Sequence, residues 1–127
     1  MPRISLGDIY LIPTPPNGLH YHVAIAQSDN DSYLFVNYST VQDSTPDEDL
    51  DYTLSPSRTP VKYLNRESFF VFGSAKEFSG NQLDLLNCKR AGVFPPSTVE
   101  QIQYAGLASK SLKSKYKRLI KSYLGLL

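Results

Sequence analysis

Both histidines of this 127-residue chain stand one residue apart, at His20 and His22 in the stretch GLHYHVAIA. Histidine is the side chain whose charge changes near neutral pH, so two adjacent imidazoles are a candidate base and acid for one turnover. Their neighbours read as a strand. Leu19, Tyr21, Val23 and Ile25 fall on one face of a period-2 segment, and His20, His22, Ala24 and Ala26 on the other. The apolar face explains itself as core; the histidine face does not.

A second β-rich run, YLFVNYST at 33–40, follows the turn-forming residues QSDNDS at 27–32. If the two runs pair with Ala26 opposite Tyr33, His22 lies opposite Asn37 and His20 opposite Ser39. Directly paired residues share a sheet face with Cβ atoms about 4.5–5.5 Å apart. His20, His22, Asn37 and Ser39 are then expected at one end of one face, with Ala24, Ala26, Tyr33 and Phe35 forming its apolar remainder. A register slip of one residue would disperse them. Cleavage of RNA by its own 2′-hydroxyl needs a base for that hydroxyl, an acid for the leaving oxygen and hydrogen-bond donors for the phosphorane, which this set supplies. The competing reading is structural: half-exposed strand histidines bonded to Asn37 and Ser39. A zinc site is not expected, because the chain has two histidines and one cysteine and such sites take three or four ligands.

Around the hairpin, GDIYLIP at 7–13 reads as a short strand ended by TPPNG, since proline cannot continue a ladder. Residues 41–60, acidic and rich in Pro and Ser, read as a long loop with a short strand near Tyr52–Leu54. ESFFVFGSA at 67–75 reads as a strong strand closed by Gly73, and RAGVF at 90–94 as a weaker one. The end of the chain differs in kind. Ser97 and Glu100 have capping-box spacing, so a helix is expected from about Ser97. Leu112, Tyr116, Leu119, Ile120, Tyr123 and Leu124 then recur at helical spacing, with Lys113, Lys115, Lys117, Arg118 and Lys121 between them.

These elements predict one α+β domain over 1–127, mainly β over 1–95 with the acidic loop 41–60, and helical over 96–127. A small, strongly bent β-barrel with C-terminal helices packed on it is the expected architecture. The charge is uneven: residues 1–60 carry two basic and eight acidic side chains, residues 61–127 eleven and four. The basic half is suited to steering a polyanion. No apolar run approaches membrane-spanning length, the first residues lack a secretory apolar segment, and Cys88 is the only cysteine, so a cytoplasmic protein away from membranes is expected.

The order of GDIYLI, HVAI and LFVNYST resembles the N-terminal half of the MazF/PemK-type toxins of bacterial toxin–antitoxin pairs. HYHVAI, VNYST and TPVKYLNRESFFVFGSA more closely resemble a divergent branch related to them, and the likeness spans roughly residues 6–75. The resemblance implies an SH3-like barrel, often dimeric, that acts as an endoribonuclease without metal or cofactor and is partnered by an antitoxin protein. It implies a catalytic role for the position of His20, where those toxins carry arginine, and for Thr40, which ends the third strand. Arginine to histidine exchanges a permanent charge for a titratable one. Lys62 and Arg66 are then candidates to restore the phosphate-binding charge, and Ser68 to donate a hydrogen bond. The hairpin register places Thr40 on the face opposite His20, in conflict with that role. The expected function is a toxin-like, metal-independent endoribonuclease acting on single-stranded RNA. Its catalytic set is His20, His22, Ser39 and Thr40, and its binding set is Asn37, Lys62, Arg66 and Ser68. The alternative is a non-catalytic SH3-like module that binds a protein or nucleic acid.

Overall fold

A computed structural model describes residues 4–13, 18–40, 53–54 and 67–126. Lys62, Arg66 and most of the acidic loop lie outside the described residues. The strands are β1 (Asp8–Pro13), β2 (Leu19–Asp29), β3 (Ser32–Thr40), β4 (Thr53–Leu54), β5 (Ser68–Ser79) and β6 (Arg90–Val93). The helices are α1 (Gly80–Leu85), α2 (Pro96–Ala108) and α3 (Ser114–Tyr123). All strand pairs are antiparallel, in the order β4-β5-β3-β2-β1-β6. The α+β class therefore holds. Among the described residues β4 and β6 are the free edges of an open sheet. No described helix is long and apolar enough to cross a membrane.

The hairpin is tighter than its composition suggests. β2 continues to Asp29 and β3 begins at Ser32, leaving only Asn30 and Asp31 between them. Irregularities at Ala24/Ala26 and Gln27/Asp29 absorb the extra residues, so Ala26 faces Leu34 rather than Tyr33. Beyond them the expected register stands, with Val23 opposite Val36 and His22 opposite Asn37.

β5 departs further. Gly73 does not close the strand, which runs on to Ser79. Val71 pairs with Asn37 and Lys76 with Phe35, so Phe72–Ala75 bulge out opposite the single residue Val36. Such a bulge bends the strand sharply, and a glycine within it lowers the cost.

Each face of the sheet carries a buried apolar cluster. Ile9, Val23, Ile25, Val36, Tyr38, Phe70 and Phe72 pack against Val99 and Ile102 of α2 and Tyr116 and Ile120 of α3. The other face holds Tyr10, Ile12, Ala24 and Phe35 beneath Leu83 of α1, with Ile4 and Cys88. Gly7 ties β1 into the sheet: its N–H donates to the Ala24 carbonyl at 2.8 Å, and its own carbonyl accepts from Phe94 N–H at 3.0 Å. Its φ of +88° and a Phe94 oxygen 2.9 Å from where a Cβ would stand leave room only for glycine there.

Helix starts divide unexpectedly. The capping box lies at α1, where Ser79 Oγ accepts from Gln82 N–H at 3.1 Å and Gln82 Oε1 accepts from Ser79 N–H at 2.8 Å. α2 starts without a side-chain cap, with Pro95 at the cap position and Pro96 at the first helical residue. There a missing N–H costs nothing, so Ser97 is not needed as a cap. On α3 the apolar stripe is seated as the spacing predicts, except that Tyr123 is 46% exposed.

Candidate functional site

His22 lies in a row that crosses the sheet. Tyr10 of β1 stands opposite it on one side and Asn37 of β3 on the other, and Asn37 is in turn opposite Val71 of β5. His20 pairs with Ile12 on the β1 side. The β2–β3 ladder ends at Tyr21 and Tyr38, one step short of His20 and Ser39. Alternation still places both on the histidine face, and Ser39 is opposite Phe69. The structure therefore brings His20, His22, Asn37 and Ser39 to one face of one hairpin.

Thr40 and Ser68 pair with each other. They share the parity of Tyr38 and Phe70, which belong to the helix-covered core. Both accordingly lie on the sheet face opposite the histidines, where strand alternation without a bulge must put them.

His22 is 5% exposed, with its ring edge-on to Phe78, centroids 6.2 Å apart and planes at 84°. Its Nδ1 lies 2.9 Å from the His20 carbonyl oxygen. A carbonyl only accepts, so Nδ1 carries the proton and donates, and Nε2 of the neutral ring is left as the acceptor nitrogen. Burial lowers the His22 pKa from 6.5 to about 4; the bond to the His20 carbonyl works against that, and His20 and Lys76 add repulsion. At neutral pH this imidazole is uncharged. Asn37 is 6% exposed, and its Oδ1 is buried with no hydrogen-bond partner, as is Nδ1 of the half-buried His20. Buried polar atoms are nearly always bonded, so two unpaired ones on the same face need an explanation.

Two residues join the site that local pattern did not reveal. Tyr10, 2% exposed, sits beside His22, and burial first and Asp8 second raise its pKa. Lys76 is exposed and close enough to His22 to repel its protonated form. Regular alternation from Val71 would have put Lys76 on the opposite face; the bulge at Phe72–Ala75 reverses its side. The glycine within an apolar strand is the available signal, and here it marks a bulge and not a stop. Asp8, opposite in charge, is engaged elsewhere: it accepts from Ser5 N–H at 2.8 Å and faces Arg90 at 3.5 Å.

Among the described residues no three His, Cys, Asp or Glu side chains come together as a metal site. A scan against protein-family models finds no match for the chain, and no curated protein matches it in sequence.

Proposed function

We propose that the histidine end of this face is the active surface of a toxin-like, metal-independent endoribonuclease that cleaves single-stranded RNA by acid–base catalysis. The observation that supports it is the concentration of His20, His22 and Asn37 on one face with buried polar atoms left unpaired. In this reading His22 Nε2 accepts the 2′-hydroxyl proton as the oxygen attacks phosphorus. His20, protonated, gives its proton to the departing 5′-oxygen, leaving a 2′,3′-cyclic phosphate and a free 5′-hydroxyl. The Asn37 Nδ2–H donates to a phosphorane oxygen and the Lys76 ammonium neutralises its charge; Lys76 then takes the place of the permanent cation lost when His20 stands where the related toxins carry arginine. The bend at Phe72–Ala75 suits an SH3-like barrel of the MazF/PemK type, and that kinship carries with it a homodimer and an antitoxin partner. Thr40 and Ser68 have no part in this chemistry.

A second reading is favoured by the depth of His22: a ring 5% exposed and packed on Phe78 also suits a non-catalytic SH3-like binding module. Incubation of the pure protein with a long mixed-sequence RNA, with and without chelator, separates the two. Cleavage is expected to persist in chelator, and His20→Ala to reduce it by about 10²–10⁴-fold, the usual contribution of a general acid or base. The acid limb of the rate profile should fall near pH 4, where His22 gains its proton. RNA left intact but bound from pH 5 to 9 selects the binding module.

A further inference from the structure

Away from the histidines, a cleft of about 320 Å³ opens between the tip of the β2–β3 hairpin and the C-terminal end of α3. Gln27, Ser28, Asp29 and Asn30 form one wall; Ser122 and Tyr123 stand across from them. The hairpin wall is fixed. The Gln27 amide donates to the carbonyls of Asp29 and Asn30 at 3.1 and 3.4 Å, and Asp29 Oδ1 accepts from Asn30 N–H at 2.8 Å. Ser28 Oγ, by contrast, is buried with no partner. Tyr123 turns 46% of its surface to solvent, although Tyr116 and Ile120 of the same helix are buried.

Outside the cleft, α3 presents Lys115, Arg118 and Lys121 to solvent, with Lys117 half-buried beside them. None of the four has an acidic partner among the described residues, and no acidic residue follows Glu100. This pattern is costly for the helix itself. Lys115 and Arg118, Arg118 and Lys121, and Lys117 and Lys121 are like charges three or four residues apart, which repel. Lys113 and Lys115 at the N-terminal end oppose the helix dipole, and no side chain caps that end. A polyanion laid along this surface removes each of these costs.

We propose that the cleft seats one base of a single-stranded nucleic acid while its phosphates run along the cationic face of α3. The volume is at the small end of ligand sites, enough for one ring system. Tyr123 offers a stacking surface, the recurrent device for holding an unpaired base. Leu119 adds an apolar patch, and the polar groups include the Ser28 and Ser122 hydroxyls and the Asp29 carboxylate. Such a wall repels a phosphate and receives the N–H donors of a base edge, so base inside and backbone outside is the arrangement that satisfies both parts. Bases in a duplex are stacked and paired, which excludes them from such a cleft. The site lies with α3 on the core opposite the histidine face, and binding there does not require that the chain cleave RNA.

The test uses the full chain and a fluorescent, mixed-sequence 2′-O-methyl oligonucleotide of twelve residues, which lacks the hydroxyl needed for self-cleavage. Its affinity is followed by anisotropy across a salt series. Tyr123→Ala should weaken binding about 5- to 150-fold, the loss of one base–aromatic stack. Tyr104→Ala, removing a tyrosine 48% exposed on α2, should leave it unchanged. Joint replacement Arg118→Gln and Lys121→Gln should flatten the logarithmic salt dependence by about 1.4, two phosphate contacts at about 0.7 each. Backbone amides of residues 27–30 should shift in NMR spectra on titration with the oligonucleotide. Equal affinity of Tyr123→Ala and parent, or binding of anionic phospholipid vesicles in place of the oligonucleotide, would each overturn the proposal. Shifts confined to the amides of residues 20–22 and 37–39, with none at 27–30, would move the binding to the histidine face and overturn it as well.

Discussion

The two faces of the sheet are built from the same strands and differ in what covers them. On one, two helices lay Val99, Ile102, Tyr116 and Ile120 over an apolar sheet. An amide buried there, Gln103, donates to the Ile25 carbonyl at 2.7 Å. On the other, the short α1 covers only the apolar end with Leu83, and the polar end keeps His20 and Asn37 with unpaired buried atoms. Burial on the first face is spent on stability. On the second it leaves groups whose hydrogen bonds are not made within the fold, an arrangement that costs stability and is a mark of functional sites.

The largest effect is expected from truncating the fully covered face. Phe94 is 1% exposed and packs on Tyr38 with ring centroids 5.7 Å apart; Phe94→Ala should cost about 3–5 kcal/mol in urea unfolding. A smaller loss would show that the helices close over the gap, and that this face is less tightly packed than its mate is polar.

Next is a pH effect belonging to the other face. His22 has a lower pKa folded, about 4, than its ordinary 6.5, so between those values the unfolded chain binds more protons. Stability is therefore complete above about pH 6.5 and is lost as the pH falls towards 4, by up to about 3 kcal/mol at roughly 1.4 kcal/mol per pH unit. Unfolding midpoints measured from pH 4 to 8 should show this slope in the parent and lack it in His22→Gln. An identical slope in both would falsify the assignment to His22.

The smallest and sharpest contrast sets two buried amides against each other. Gln103→Leu strands the Ile25 carbonyl and should cost about 1–3 kcal/mol, whereas Asn37→Leu removes an atom already unpaired and should leave stability unchanged or slightly raised. Equal losses in the two variants would mean that Asn37 holds the fold together, and the faces would no longer differ in kind.

Much of this was legible locally. The alternation of β2 and β3 puts apolar and polar residues on alternate faces, and a hairpin between adjacent strands has few registers that keep Val23 and Val36 inside. That constraint sets His22 against Asn37 whatever the turn does, which is why the polar end was predictable although the turn was tighter than expected. The apolar stripe of α3 follows equally from spacing. The short α1 escapes such a reading, because a six-residue helix has too little periodicity to announce itself. Tyr123 shares the stripe's spacing yet is exposed, because spacing specifies a stripe and not where the surface beneath it ends.

By itself, then, the sequence determined the strands, the basic terminal helix and the face shared by His20, His22, Asn37 and Ser39, because periodicity and cross-strand pairing act over a few residues. Only the tertiary structure decided what that face contains. The bulge at Phe72–Ala75 turns Lys76 towards His22, the β1 pairing brings Tyr10 beside it, and burial from elements distant in the chain sets the His22 proton affinity. Desolvation is the sum of everything packed around a group, and no local pattern carries that sum.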